Sequence, residues 1–152
     1  MDNTQNNPAK PVELTPEQIA WLSDCIIVTC TEGGSYTRDD YKSWHKYKHS
    51  GKDNRASVTL VPNDDCEVAP ETYKLLVHDE VINEHVIVVT PEFLAVRFTR
   101  LLVDEISGEG KAGKAWVGPL AKALAADEDF IPDVVEAGAM LQLAVYGEVV
   151  YG

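Results

Sequence analysis

Apolar positions fall along the chain in short blocks, and the spacing inside each block separates strands from helices. The earliest block, Cys25–Thr31, is a continuous apolar and β-branched run that predicts a strand buried on both faces. Thr15-Pro16-Glu17-Gln18 precedes it and has the form of a helix start, with a capping Thr, a Pro in the first turn and a Gln that completes a capping box. Ile19 and Leu22 give this short helix its stripe, and it is expected to end near Asp24. Gly33-Gly34 follows the apolar run as a hairpin turn. Tyr41, Ser43, His45 and Tyr47 alternate, which predicts a strand from about Asp40 to Lys48, although a helix would equally gather Tyr41, Trp44 and Lys48. Ser50–Arg55 reads as a polar turn, Ala56–Val61 as a strand stopped by Pro62, and Asn63–Pro70 as an acidic loop. Tyr73–Val77 and His85–Val89 read as further strands, with a loop or helical turn over Asp79–Glu84.

The second half of the chain changes period. Thr90-Pro91-Glu92 opens a helix that runs to about Ile106. A loop with three glycines spans Ser107–Gly113, and a second helix covers Lys114–Ala126, its start delayed by Gly118-Pro119. The third helix, Pro132–Tyr146, begins at Pro132 or Asp133 and is capped by Gly147. Beyond it, Val149, Val150 and Tyr151 make a chain end apolar enough to pack against the body. Strands first and helices later predict an α+β fold, an antiparallel sheet of four to five strands covered by about three helices. Residues 1–12 read as a disordered polar tail and 13–152 as one domain. Trp21 and Trp116 are expected in its core.

Charge adds a second pattern. The net charge is -12 over 152 residues, yet one segment runs the other way. Residues 33–60 sum to +3, against -8 for residues 61–110. Within the basic segment, Arg38, Lys42, Lys46, Lys48, Lys52 and Arg55 are interleaved with Tyr36, Tyr41, Trp44 and Tyr47. Cations track phosphates and aromatic faces stack on bases, so a hairpin of this composition suits nucleic acid or another acidic partner. An edge hairpin guarded by lysines, or one that neutralises the protein's own acidic surface, has the same composition. The opposite surface, Asp64, Asp65, Glu67, Glu71, Asp79, Glu80 and Glu84, could present carboxylates in place of DNA phosphates.

Little else points to chemistry. Cys25, Cys30 and Cys66 are odd in number, lack a CxxC spacing and read as reduced cytoplasmic thiols. The Gly pair belongs to no phosphate-loop motif, and Ser35 lies in no nucleophile elbow. His45 and His49 could share a metal only on a helix, and Asp64 with Asp65 only as an isolated cation loop, so no metal, cofactor or catalytic residue is assigned. Glu32, at a strand end beside glycines, is the one carboxylate that a small-enzyme reading would use. The apolar runs are too short to span a bilayer, so no membrane partner is expected.

Thr31-Glu32-Gly33-Gly34-Ser35-Tyr36, the Thr90-Pro91-Glu92 helix start and the ending Ala144-Val145-Tyr146-Gly147-Glu148-Val149-Val150-Tyr151-Gly152 resemble a group of small uncharacterised proteins of actinobacteria and their phages. The resemblance covers the two ends of the domain. The chain departs from it at Tyr36-Thr37, where the group often has a Tyr-Trp pair. It implies a phage or mobile-element setting and no particular activity. The expected function is non-catalytic binding of a host protein or nucleic acid through Tyr36, Arg38, Lys42, Trp44, Lys46, Tyr47 and Lys48. The alternative is an acidic DNA mimic directed at a host DNA-binding protein.

Overall fold

The computed structural model describes residues 13–151; the expected disordered tail, residues 1–12, lies outside them. Within them, four antiparallel strands and five helices form an α+β domain. The strands are β1 (Ser43–Ser50), β2 (Arg55–Val61), β3 (Val77–Asp79) and β4 (Glu84–Val89), in the order β1-β2-β4-β3. Ala56, Val58 and Leu60 of β2 are buried with Ile87 and Val89 of β4. Strand β4 is shared along its length: Glu84–Val86 pair with β3, and Ile87–Val89 pair with β2.

The strand expected over Cys25–Thr31 is a helix. An α-helical segment Pro16–Trp21, a π-helical segment Leu22–Val28 and a last turn Thr29–Thr31 follow without a break, and together they form α1. Thr15 and Gln18 make the expected capping box. The helix then continues through the β-branched residues because its buried face is continuous. Leu22, Ile26 and Cys30 recur every four residues, with Ser23 and Ile27 alongside, and all five are buried. A recurrence near four fits the widened π turn, and burial on β2 outweighs the weak strand propensity. Ser23 Oγ also accepts the Ala56 N–H at 2.9 Å, beyond the point where β4 stops pairing with β2. Gly33-Gly34 is accordingly no hairpin turn. It leads out of α1 into short 3-10 turns, with Gly34 at φ 63.

The expected strand at Tyr73–Val77 is also displaced. Pro70 starts a single helical turn, α2 (Pro70–Tyr73), and the strand is only Val77–Asp79. Thr72 anchors that turn by donating from Oγ1 to the Ala144 carbonyl at 2.9 Å.

The later helices follow their local signals. Helix α3 (Pro91–Ile106) is capped by Thr90, whose Oγ1 accepts from the Phe93 N–H at 3.1 Å. A 3-10 turn, Lys114–Trp116, leads into α4 (Val117–Leu124). Helix α5 (Val134–Tyr146) starts with an Asp133/Glu136 capping box and ends at Gly147 in the left-handed region, φ 82. Its buried Leu141, Leu143 and Val145 complete the core with Leu94, Phe98 and Leu120. Trp21 is in that core, stacked on Phe130, and Trp116 packs at its edge.

The chain end is held mainly by hydrogen bonds and not by its valines: Val149 and Val150 are exposed, and of the three only Tyr151 packs against the core. Gln142 Oε1 accepts from the N–H groups of Val150 and Tyr151, both at 2.8 Å, and its Nε2 donates to the Tyr151 carbonyl. The Tyr151 hydroxyl lies 2.7 Å from Cys66 Sγ and accepts from Asn63 Nδ2 at 3.0 Å. The thiols of Cys25, Cys30 and Cys66 are all free.

Candidate protein-binding groove

The basic hairpin segment turns three of its six cations, Lys42, Lys46 and Arg55, on the protein's own carboxylates. Strand β1 pairs with β2 in register from Ser43 to His45 and again from Lys48 to Ser50. Between these stretches lies a bulge where Lys46 takes φ 55. A bulge redirects the side chains at its site. Here Lys46 Nζ donates to Asp79 Oδ2 at 2.5 Å, and the Tyr47 hydroxyl donates to Glu32 Oε2 at 2.8 Å. Burial and the Glu32 carboxylate push the Tyr47 hydroxyl up to about 12. Lys42 Nζ lies 2.6 Å from Glu84 and 3.6 Å from Asp64. Arg55 makes a two-bond fork with Glu92, each bond 2.7 Å. The Trp44 indole donates to the Arg38 carbonyl at 3.1 Å and meets Tyr41 edge to face.

Of the seven residues expected to bind a partner, Tyr36, Arg38 and Lys48 are exposed and form no ion pair or side-chain hydrogen bond among the described residues. Lys42, Lys46, Trp44 and Tyr47 are engaged within the fold. His45 and His49 do not converge: His45 Nε2 lies 2.8 Å from Ser43 Oγ, while His49 faces Asp24 at 3.5 Å. Among the described residues, no three His, Cys, Asp or Glu side chains cluster as a metal site. Cys30 is sealed in the core, where burial pushes its thiol far above the range of a neutral-pH nucleophile. Glu32 is the C-cap of α1, and its carboxylate receives the Tyr47 hydroxyl.

A broad concavity lies beside the far end of the sheet. It has a volume of about 680 Å³ and runs between the loop after β2, helix α2 and the start of β4. Val61, Pro62, Val68 and Leu76 give it an apolar floor, and Asp64, Glu67 and Glu84 an acidic rim. Lys74 and His85 also line it. Next to it, Tyr73, Leu75 and Val77 are 69%, 47% and 52% exposed, more apolar surface than a short stretch usually shows. Strand β3 stands at the sheet edge, with no strand outside it among the described residues. An open edge carries unpaired backbone groups that can pair with another chain.

The turn that carries this edge is firmly placed. Asp79 Oδ1 accepts from the N–H groups of Val81 and Ile82, both at 2.9 Å, while its other oxygen takes Lys46. Asp79 is held down to about 2, first by the Lys46 hydrogen bond and then by these backbone bonds. The Lys46 and Lys42 pairs thus fasten the β3–β4 turn to β1.

Of the rim carboxylates, Asp64 and Glu67 were legible as part of an acidic loop, and Glu84 only as one of the acidic residues further on. The floor was not legible, because Val61, Val68 and Leu76 come from separate segments of the sequence. The local signal was Tyr73, Leu75 and Val77 at alternate positions beside a proline-initiated turn. Compared with known proteins, the chain matches no family model, no curated protein and no solved structure. No helix among the described residues is long and apolar enough to cross a membrane.

Proposed function

We propose that this protein is a non-catalytic binding module that captures a basic, extended segment of a partner protein. The observation that carries this reading is the acidic rim of Asp64, Glu67 and Glu84 over an apolar floor beside an open strand edge. An extended segment laid along β3 gains backbone hydrogen bonds, alternate apolar side chains fill the floor, and lysines or arginines meet the rim. The net charge of -12 steers a basic partner towards it. A basic segment of a DNA-binding protein is one such partner, so this surface could also act as the acidic decoy of DNA. A phage or mobile-element setting in the cytoplasm belongs to the same reading; free thiols are in keeping with that compartment.

A second reading keeps the hairpin as the contact. It rests on exposed Tyr36 with Arg38 and Lys48, whose charges no carboxylate among the described residues takes up. Internal pairing of Lys42, Lys46 and Arg55 leaves that surface much less basic than its composition.

Amide NMR separates the two. A capped peptide of alternating Lys and Val, roughly one strand long, is titrated against one sample and a short DNA duplex against another. The expected result is salt-sensitive movement at Val68, Leu76 and Val77 with the peptide, weakened several-fold by Asp64→Lys with Glu67→Lys. Movement with DNA alone, at Arg38 and Lys48, would sink the groove and restore the hairpin.

A further inference from the structure

On the other side of the 67–70 wall lies a smaller cavity of about 270 Å³, with Arg97 among its lining residues. Arg97 comes from the buried face of α3, between Leu94 and Leu101, and is only 3% exposed. Its Nε donates to the Ala144 carbonyl at 2.8 Å. Among the described residues, its two Nη nitrogens make no hydrogen bond and no carboxylate lies within 4.0 Å of the guanidinium. Nor are they sealed away, since the buried side-chain atoms without a partner are Thr31 Oγ1 and the Tyr41 hydroxyl. The free donors therefore open on the cavity.

A guanidinium does not neutralise itself by losing its proton near neutral pH, and an unpaired buried charge is costly. The nearby Glu71 and Asp104 carboxylates and the carbonyls at the C-terminal end of α5 offset part of that charge. The planar fork of donors remains, and its natural complement is a carboxylate. The mouth has the opposite sign: Glu67, Glu71, Asp104, Glu109 and Glu148 surround it against Lys111. A bare anion would be repelled at the mouth, and a bare cation at the floor. A zwitterion satisfies both.

We infer that this cavity binds a free α-amino acid, its carboxylate on the Nη donors of Arg97 and its ammonium among the rim carboxylates. The volume would hold roughly nine waters, at about 30 Å³ each in the liquid, which suits a moderate side chain. Val68, Leu101 and Tyr146 on the wall make that side chain apolar. The site does not depend on the groove having an occupant.

The test follows the Arg97 Nε–H signal by NMR, with thermal stability measured in parallel. The probes are each common amino acid alone, then acetate, and then the N-acetyl and amide derivatives of the best binder. An apolar amino acid should move the signal and raise the melting temperature, and blocking either end should weaken binding at least about tenfold. Arg97→Gln, read by melting temperature because the variant lacks the Nε–H, should abolish the stabilisation by the amino acid. Should that variant fold poorly, Glu71→Gln is the second probe, expected to weaken the amino acid and leave acetate unchanged. No response to any amino acid would overturn the inference, as would acetate or a blocked derivative acting as strongly as the zwitterion.

Discussion

On the hairpin, Lys42, Lys46 and Arg55 each reach a carboxylate at 2.5 to 2.7 Å, although their side chains are 40% to 50% exposed. In the interior, Arg97 reaches no carboxylate, and Asp40, 8% exposed, receives one long bond of 3.3 Å from Gln142. Pairing is dense where an ion pair contributes about 0–1 kcal/mol and absent where a lone charge costs several. The surface pairs fix geometry: they hold the β3–β4 turn against β1 and so place the groove. The interior charges have no such structural return, which makes them the residues to perturb first.

The largest effect is expected at Arg97. Arg97→Met should leave the ligand-free protein as stable or raise its stability by about 1–3 kcal/mol in urea unfolding, since an apolar side chain of similar length removes a buried charge. The Ala144 carbonyl stays satisfied by Thr72 Oγ1. A clear loss of stability would instead make Arg97 a structural cap of α5 and end the contrast between interior and surface.

Asp40 is the anionic counterpart. Burial raises it from 3.8 to about 6, and the Gln142 hydrogen bond only partly opposes this. A raised acid is protonated more readily in the folded state than in the unfolded chain. Stability should therefore fall as pH rises from about 4 to about 6 and stay lower above that. Asp40→Asn should remove this fall and stabilise the protein at pH 7.5 by about 2 kcal/mol. Unfolding curves at several pH values would show it, and parallel curves for variant and wild type would mean that Asp40 ionises normally.

Local rules recovered the three later helices and missed what distance decides. Thr90, Asp133 and Gly147 act within one turn of themselves, and the structure has all three in their capping roles. Cys25–Thr31 was misread because strand propensity is weak beside a capped helix start and a sheet to pack on; the four-residue recurrence of Leu22, Ile26 and Cys30 was the better signal. The composition of the hairpin was visible, but the Lys42–Glu84 and Lys46–Asp79 pairs join segments far apart in sequence. Arg97 could have been found: it occupies a core position in the stripe of α3, four residues from Phe93 and from Leu101.

A smaller effect is expected at the Arg55–Glu92 fork. Both side chains are about a third exposed or more, 40% and 31%, so solvent screening limits the pair to about 0.5–1 kcal/mol. Glu92 also stands in the first turn of α3, where a negative charge is favoured. Glu92→Gln should lower stability by that amount at low salt and by less at high salt. An unchanged loss in high salt would show that the fork behaves as an interior pair.

The smallest effect belongs to the bulge, and it separates the Lys46 charge from the Lys46 backbone. Asp79 is depressed to about 2, so its contribution is present above the ordinary carboxylate value and is lost as pH falls towards 2. Lys46→Met should lower the melting temperature by a few degrees at most and flatten that acid limb. Lys46→Gly removes the same charge but suits the φ of 55 that a Lys adopts at a cost. It should therefore melt at or above the temperature of the Met variant. If the Gly variant melts lower, the extra freedom that glycine gives the unfolded chain outweighs the strain it relieves at the bulge.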